Sequence, residues 1–392
     1  MILRKKMSGL MCSALLLLTA CGGDRSNTLA PNLPYYNPGQ DQIYNPKPDT
    51  HGYNPAQPAG TSYSVLKNVF LRVDPEIGVS VSHLEGRLEP KRPGDPVIFD
   101  DTRSFVFNIF HGQLTINAAN ITRLKNKFTF NYPESPLKDI EITFSQGRIS
   151  MKGKMKQVIW VPFEMEGTIQ PSHEGTLIMV PDSIRVAGIP AKGLMDAVGL
   201  QTSKLLKLAG DRGVQLQGNN ILLDCTKLFP PPQIQGKIVA VDVQPTGLTL
   251  FFDSQQRVPR RLPPDINARN YMHAYGGNLL IMNELQRGAE LQMVDMNPSD
   301  SFDFYLGEYK RHLKAGYVKV MNDQGSLITL MPDYTKINTT NVWDQYPGGA
   351  PLTTPGAVRS MNASTGVSAA SAERRSQASG NFIPALEYWK TH

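Results

Sequence analysis

Cysteine is scarce in this 392-residue chain: Cys12, Cys21 and Cys225 are all it has. A chain this poor in thiols is not held by a disulfide framework, so its stability must come from its core. Charge of one sign is also nearly missing. The formal net charge is +6, but three of the 40 basic residues, Arg4, Lys5 and Lys6, sit in the first 20 residues, which hold no acidic residue. The remainder carries only about +3, too little to argue for nucleic acid. Catalytic signatures are absent too. There is no Gly-x-Ser-x-Gly elbow, no His-Glu-x-x-His and no phosphate-cradling Gly-rich loop. His51, His83, His111, His173, His273 and His312 are scattered and suggest no metal site. The expectation is a protein that is not an enzyme, with no catalytic residue and no cofactor.

Long apolar runs are missing as well, with one short exception. Arg4, Lys5 and Lys6 precede an apolar stretch that ends "ALLLLTACGG", residues 14–23. It is too short to span a bilayer comfortably and has the layout of a signal peptide. Leu18-Thr19-Ala20-Cys21 resembles the lipobox of bacterial lipoprotein precursors. The resemblance implies cleavage before Cys21, whose sulfur then carries a lipid, with acyl chains such as palmitate holding the protein at a membrane. Gly22 rather than Asp after the cysteine is similar to the pattern sent on to the outer membrane, facing the periplasm, in Gram-negative cells. On that reading Cys12 leaves with the signal, Cys225 is the one free thiol, and neither an intramolecular disulfide nor a Cys-rich zinc site can form.

The chain then divides into a signal peptide (1–20), a lipidated cysteine with a Pro- and Asn-rich linker (21–61), a body (62–336) and a low-complexity tail (337–392). The linker holds seven prolines between Pro31 and Pro58 and almost no aliphatics. Tyr36-Asn37-Pro38, Tyr44-Asn45-Pro46 and Tyr53-Asn54-Pro55 form a loose repeat, read as solvated leash in preference to a partner-binding motif. Its length would let the body stand off the membrane. The tail, with "MNASTGVSAASAERRSQASG", reads as disordered, and Phe382-Ile383-Pro384 either docks back or does nothing.

Within the body the dominant signal is period two. Ile149, Met151, Gly153 and Met155 alternate with charges; Val161, Phe163, Met165, Gly167 and Ile169 do the same. Ile238, Ala240 and Val243, then Leu248, Leu250 and Phe252, follow in a third run. Such alternation predicts antiparallel strands with one buried face, broken at Ser172–Gly175 and Pro245–Gly247. Two segments depart from it. Over 117–128, Ala118, Ile121, Leu124 and Phe128 lie near helical spacing, with Lys125 and Lys127 expected outside. Over 190–209 a second helix is expected, with Pro190 in its first turn and Gly210 at its end. Gly193 and Gly199 weaken it by about 1 kcal/mol each relative to Ala, which suits either a close ligand approach or tertiary packing.

The order of these pieces, from about 140 to 252, resembles the tubular lipid-binding (TULIP) superfamily. It is most similar to its bacterial branch of small periplasmic phospholipid-binding proteins. The resemblance implies an α+β fold in which a curved antiparallel β-sheet wraps amphipathic helices and an apolar groove holds acyl chains. It covers about a third of the chain; residues 62–135 and 262–336 must extend the sheet or add elements. On the helix stripe, Leu194, Val198 and Leu205 become candidates to line the groove. The expected partners are a membrane and a phospholipid or other apolar ligand. The alternative is a scaffolding envelope lipoprotein with a solid core and partner-binding tails. Two minor candidates complete the reading. Asp295, Asp300 and Asp303 could offer oxygens to calcium, but an Asx-rich turn is the favoured reading. Cys225, with no histidine beside it, is read as buried and inert.

Overall fold

Residues that alternate apolar and polar become strands with one face inward, and nearly all of the body is built this way. The structure is a computed structural model that describes residues 60–190, 212–282, 284–321, 326–337 and 382–385. The signal peptide, Cys21, the linker to residue 59, the expected helix beyond Pro190 with Leu194, Val198 and Leu205, and the tail over 338–381 lie outside the described residues.

The chain opens with β1 (Ser62–Asp74), β2 (Ile77–Pro90), the two-residue β3 (Val97–Ile98) and β4 (Phe105–Ile116). β1, β2 and β4 form an antiparallel meander, with Leu66 opposite Leu84 and Leu88 opposite Phe107. At Gly112 (φ +129°) a Cβ would lie 2.2 Å from the His83 carbonyl oxygen, so only glycine lets β4 cross β2 this closely. Next come α1 (Ala118–Leu124), capped by the Asn117 side chain on the Asn120 N–H at 2.8 Å, and one π-helical turn over Lys125–Thr129.

The next seven strands make a separate sheet. They are β5 (Leu137–Ser145), β6 (Arg148–Lys156), β7 (Trp160–Pro171), β8 (Leu177–Val186), β9 (Ile189–Pro190), β10 (Val214–Gln217) and β11 (Asn220–Leu223). Their order is β10-β11-β8-β7-β6-β5, antiparallel throughout, with β9 beside β8. Pro190 therefore ends a strand rather than starting a helix. Bulges at Lys138/Glu141 and Glu166/Gly167 bend the strands.

The chain returns to the first sheet through α2 (Cys225–Leu228), β12 (Gln233–Gly236), β13 (Ile238–Gln244) and β14 (Gly247–Asp253). β14 pairs with β4, and the β13 backbone meets hairpin turns of the second sheet: Gly147 N–H to the Val243 carbonyl at 2.9 Å, Ile238 N–H to the Gly175 carbonyl at 3.0 Å. The remaining elements are β15 (Tyr271–Tyr275), β16 (Asn278–Ile281), β17 (Glu284–Arg287), β18 (Glu290–Asp295), β19 (Phe302–Tyr305), α3 (Tyr309–Lys314), β20 (Tyr317–Val320), β21 (Leu327–Met331) and β22 (Phe382–Pro384). They extend the first sheet in the order β13-β14-β4-β2-β1-β15-β18-β21-β20-β22, while β3, β16 and β17 form a small third sheet.

The fold is sheet-rich, as the alternation predicts, but it differs from a single antiparallel sheet. Strands β1 and β19, β4 and β12, and β18 and β21 pair in parallel. The short tail strand docks: β22 pairs with β20, and Ile383 and Ala385 enter the main core. That core and a smaller one under the second sheet are bridged by Ile121, Phe144, Leu223, Cys225 and Phe229, which pack against both. No helix among the described residues is long and apolar enough to cross a membrane.

Candidate functional site

The inner face of the second sheet does not fill its own space. Alternation turns Ile142 on β5, Ile149, Met151 and Met155 on β6, Phe163, Met165 and Ile169 on β7, and Leu177 and Met179 on β8 to one side. β10 and β11 add Val214 and Ile221. Opposite them stand Ile121 and Leu124 of α1, Leu248 and Leu250 of β14, and Leu228 of α2. Between these walls is an apolar cavity of about 100 Å³. At ~24 cal/mol per Å³, leaving it empty costs roughly 2 kcal/mol. Four methionines line it: Met151, Met155, Met165 and Met179. Their unbranched thioethers change rotamer readily, so this wall can adapt to a guest.

Among the described lining residues one carries a charge, Lys125. The sequence placed Lys125 outside with Lys127; the structure overturns this for Lys125, which is only 7% exposed. The cause is its place one turn after Ile121: the Lys125 N–H bonds the Ile121 carbonyl, so the two share the face that packs on the cores. Phe130 N–H reaches back to the Lys125 carbonyl at 2.8 Å, one residue further than an α-helix allows. That π-turn starts at Lys125 and carries the buried face on to Thr129. Lys127 does face out and pairs with Asp74 at 2.7 Å. Burial pulls the Lys125 ammonium down to about 8.

The helix is fixed against the open edge of the sheet by side chains. Asn126 Nδ2 donates to the Ile140 carbonyl at 2.6 Å, and Ile140 N–H donates back to Asn126 Oδ1 at 2.9 Å. Ile142 N–H donates to Thr122 Oγ1 at 2.9 Å. These bonds satisfy edge groups of β5 that would otherwise be unpaired, and they set the rotation of the turn that carries Lys125.

Cys225 shares the cavity wall with Lys125. Burial pushes its thiol up to about 12, against a smaller opposing pull from Lys125. Its sequence neighbour Lys227 turns to Asp224 at 3.4 Å instead, and Asp224 caps α2 through the Thr226 N–H at 3.0 Å. The sequence reading expected a buried, inert thiol; Cys225 is partly buried in the cavity wall, and folding gives it a basic neighbour that lies 100 residues away in the chain.

The acidic cluster is rearranged relative to expectation. Asp295 and Asp300 do approach each other, but the third partner is Asp333, with carboxylate oxygens within 4.8 Å of one another. Asp303 leaves the group to pair with Arg72 at 2.5 Å. Lys336 already sits among these carboxylates, 2.6 Å from Asp333 and 3.4 Å from Asp300. Asn297 N–H bonds Asp295 Oδ1 at 2.8 Å, the Asx-turn part of the expectation. Folding also brings two scattered histidines together: His83 and His111 face each other across β2 and β4, ring centroids 6.4 Å apart. Neither the carboxylate grouping nor the histidine pairing leaves a signal in residue spacing.

No family model, no curated protein and no solved structure matches this chain.

Proposed function

We propose that the protein is a membrane-anchored envelope lipoprotein, held by a lipid on Cys21, whose body binds or ferries a phospholipid or other apolar ligand. On this reading the second sheet, α1 and the segment 191–211 form a TULIP-like unit, in which Leu194, Val198 and Leu205 lie against the bound chain. Attachment in the outer membrane facing the periplasm follows from Gly22 if the cell is Gram-negative. The observation that carries the reading is the cavity: twenty-odd apolar side chains converge on space that they leave unfilled, at a cost that a bound hydrocarbon relieves by about 0.8 kcal/mol per buried methylene.

Its size favours a second reading. At about 100 Å³ it is smaller than the ~150 Å³ that holds one benzene ring. A body that never opens further is a scaffold, with its work done by the linker and tail.

The deciding experiment is lipid extraction from the purified full chain carrying Cys21→Ser, followed by mass spectrometry. Stoichiometric co-purified lipid, lost when Val214→Phe fills the cavity, supports binding. A lipid-free protein that Val214→Phe simply stabilises leaves the scaffold reading.

A further inference from the structure

We propose that the cavity receives a long-chain carboxylic acid, with the ligand's carboxylate against the Lys125 ammonium and its chain among the methionines. The inference rests on the ligand-binding reading above and names the class of ligand. Lys125 is more than nine-tenths buried, lines the cavity, and makes no hydrogen bond or ion pair among the described residues. A buried ammonium without a counter-charge is unfavourable, and buried polar groups are as a rule partnered. The other polarisable group on the wall, the Cys225 thiol, remains neutral at physiological pH and supplies no charge. Asp224 is occupied by Thr226 and Lys227.

The missing partner is therefore an anion that arrives with an apolar body. An apolar lining selects the chain, and the ammonium selects the head. A carboxylate fits one ammonium: three N–H donors face two acceptor oxygens in a charge-assisted bond. A phosphodiester head calls for more, since no arginine and no Gly-rich backbone cradle stands among the described lining residues. The position is also built rather than incidental. Lys125 opens a π-turn, a device frequent at functional sites, and Asn126 and Thr122 lock that turn onto β5. A chain longer than a few carbons enters as Met151, Met155, Met165 and Met179 repack.

Decanoate and 1-decanol share a chain and differ in the head. Calorimetric titration of the full chain carrying Cys21→Ser should show decanoate binding at least about tenfold tighter than 1-decanol. In Lys125→Met that preference should vanish while 1-decanol binding is kept or improved, because methionine leaves the chain site apolar. Equal affinities for the two probes in the Lys125 protein, or a preference unchanged in Lys125→Met, would overturn the carboxylate assignment and leave the apolar-ligand reading intact. Binding of neither probe overturns both. If Lys125→Met fails to fold, the comparison of the two probes on the Lys125 protein decides alone.

Discussion

Asp295 and His312 show how burial writes pH dependence into single residues. Asp295 is 2% exposed, and desolvation lifts its carboxyl from 3.8 to about 7, aided by the nearby Asp333 and Asp300. The folded state then holds a proton that the unfolded chain releases near pH 4. Stability from this group is present below about pH 4 and falls as pH rises to about 7, by at most roughly 4 kcal/mol. His312 acts in the opposite direction. Fully buried, it accepts the Tyr305 N–H on Nε2 at 3.2 Å and lies 3.1 Å from the Pro332 carbonyl through Nδ1, and burial lowers it to about 4. Its contribution is present above about pH 6.5 and is lost as pH falls toward 4. The two offset each other in the intact protein, so the variant separates them. Asp295→Asn should gain stability relative to the unmodified chain at pH 8 compared with pH 5, measured by urea unfolding at both values. Equal differences at the two pH values would mean that Asp295 titrates normally. Cys225 gives a simpler check: with its thiol at about 12 it should react slowly with a thiol reagent at pH 8 and rapidly in denaturant.

At the scale of elements, strands were legible and their partners were not. The alternation of Ile149, Met151 and Met155, and of Phe163, Met165 and Ile169, reads directly as β6 and β7, because a period of two admits one buried face. The turns after Pro171 and Gln244 fall where Gly and Pro stand. Pairing is a different matter. That β1 meets β15 some 200 residues on, or that β18 runs parallel to β21, depends on loop closures that no local pattern records. Lys125 is a different case again. A helical template with 3.6 residues per turn sets it one turn after Ile121, beside the apolar stripe, and only its charge argued for solvent. Asn126 makes this testable. Asn126→Ala removes both partners of Ile140 at the edge of β5 and should cost about 1–3 kcal/mol. It should also weaken any ligand held in the cavity, because the turn loses its register on the sheet. A stability loss with unchanged lipid content would separate the edge from the site.

At the scale of the whole molecule, the candidate site is the part that needed folding. The lining residues come from β4 to β14, so no window of sequence contains the cavity; only the alternation of each strand hints that its apolar face must find a neighbour. Two or more acyl chains are needed for stable anchoring, since a single one gives only marginal, reversible binding. The lipobox reading assigns all of that attachment to Cys21; the net charge beyond residue 20 is only +3, and no described helix is long and apolar enough to cross a membrane. If residues 21–61 are the solvated linker that their composition predicts, deleting residues 37–56 should leave both the membrane fraction and the Tm unchanged. Cys21→Ser should do the opposite to the first quantity and nothing to the second: the protein moves from the membrane to the soluble fraction with the same Tm. If the serine variant instead remains on the membrane through carbonate washes, the attachment resides in the body, and the exposed Val158 and Ile159 at the β6–β7 turn become the first residues to replace.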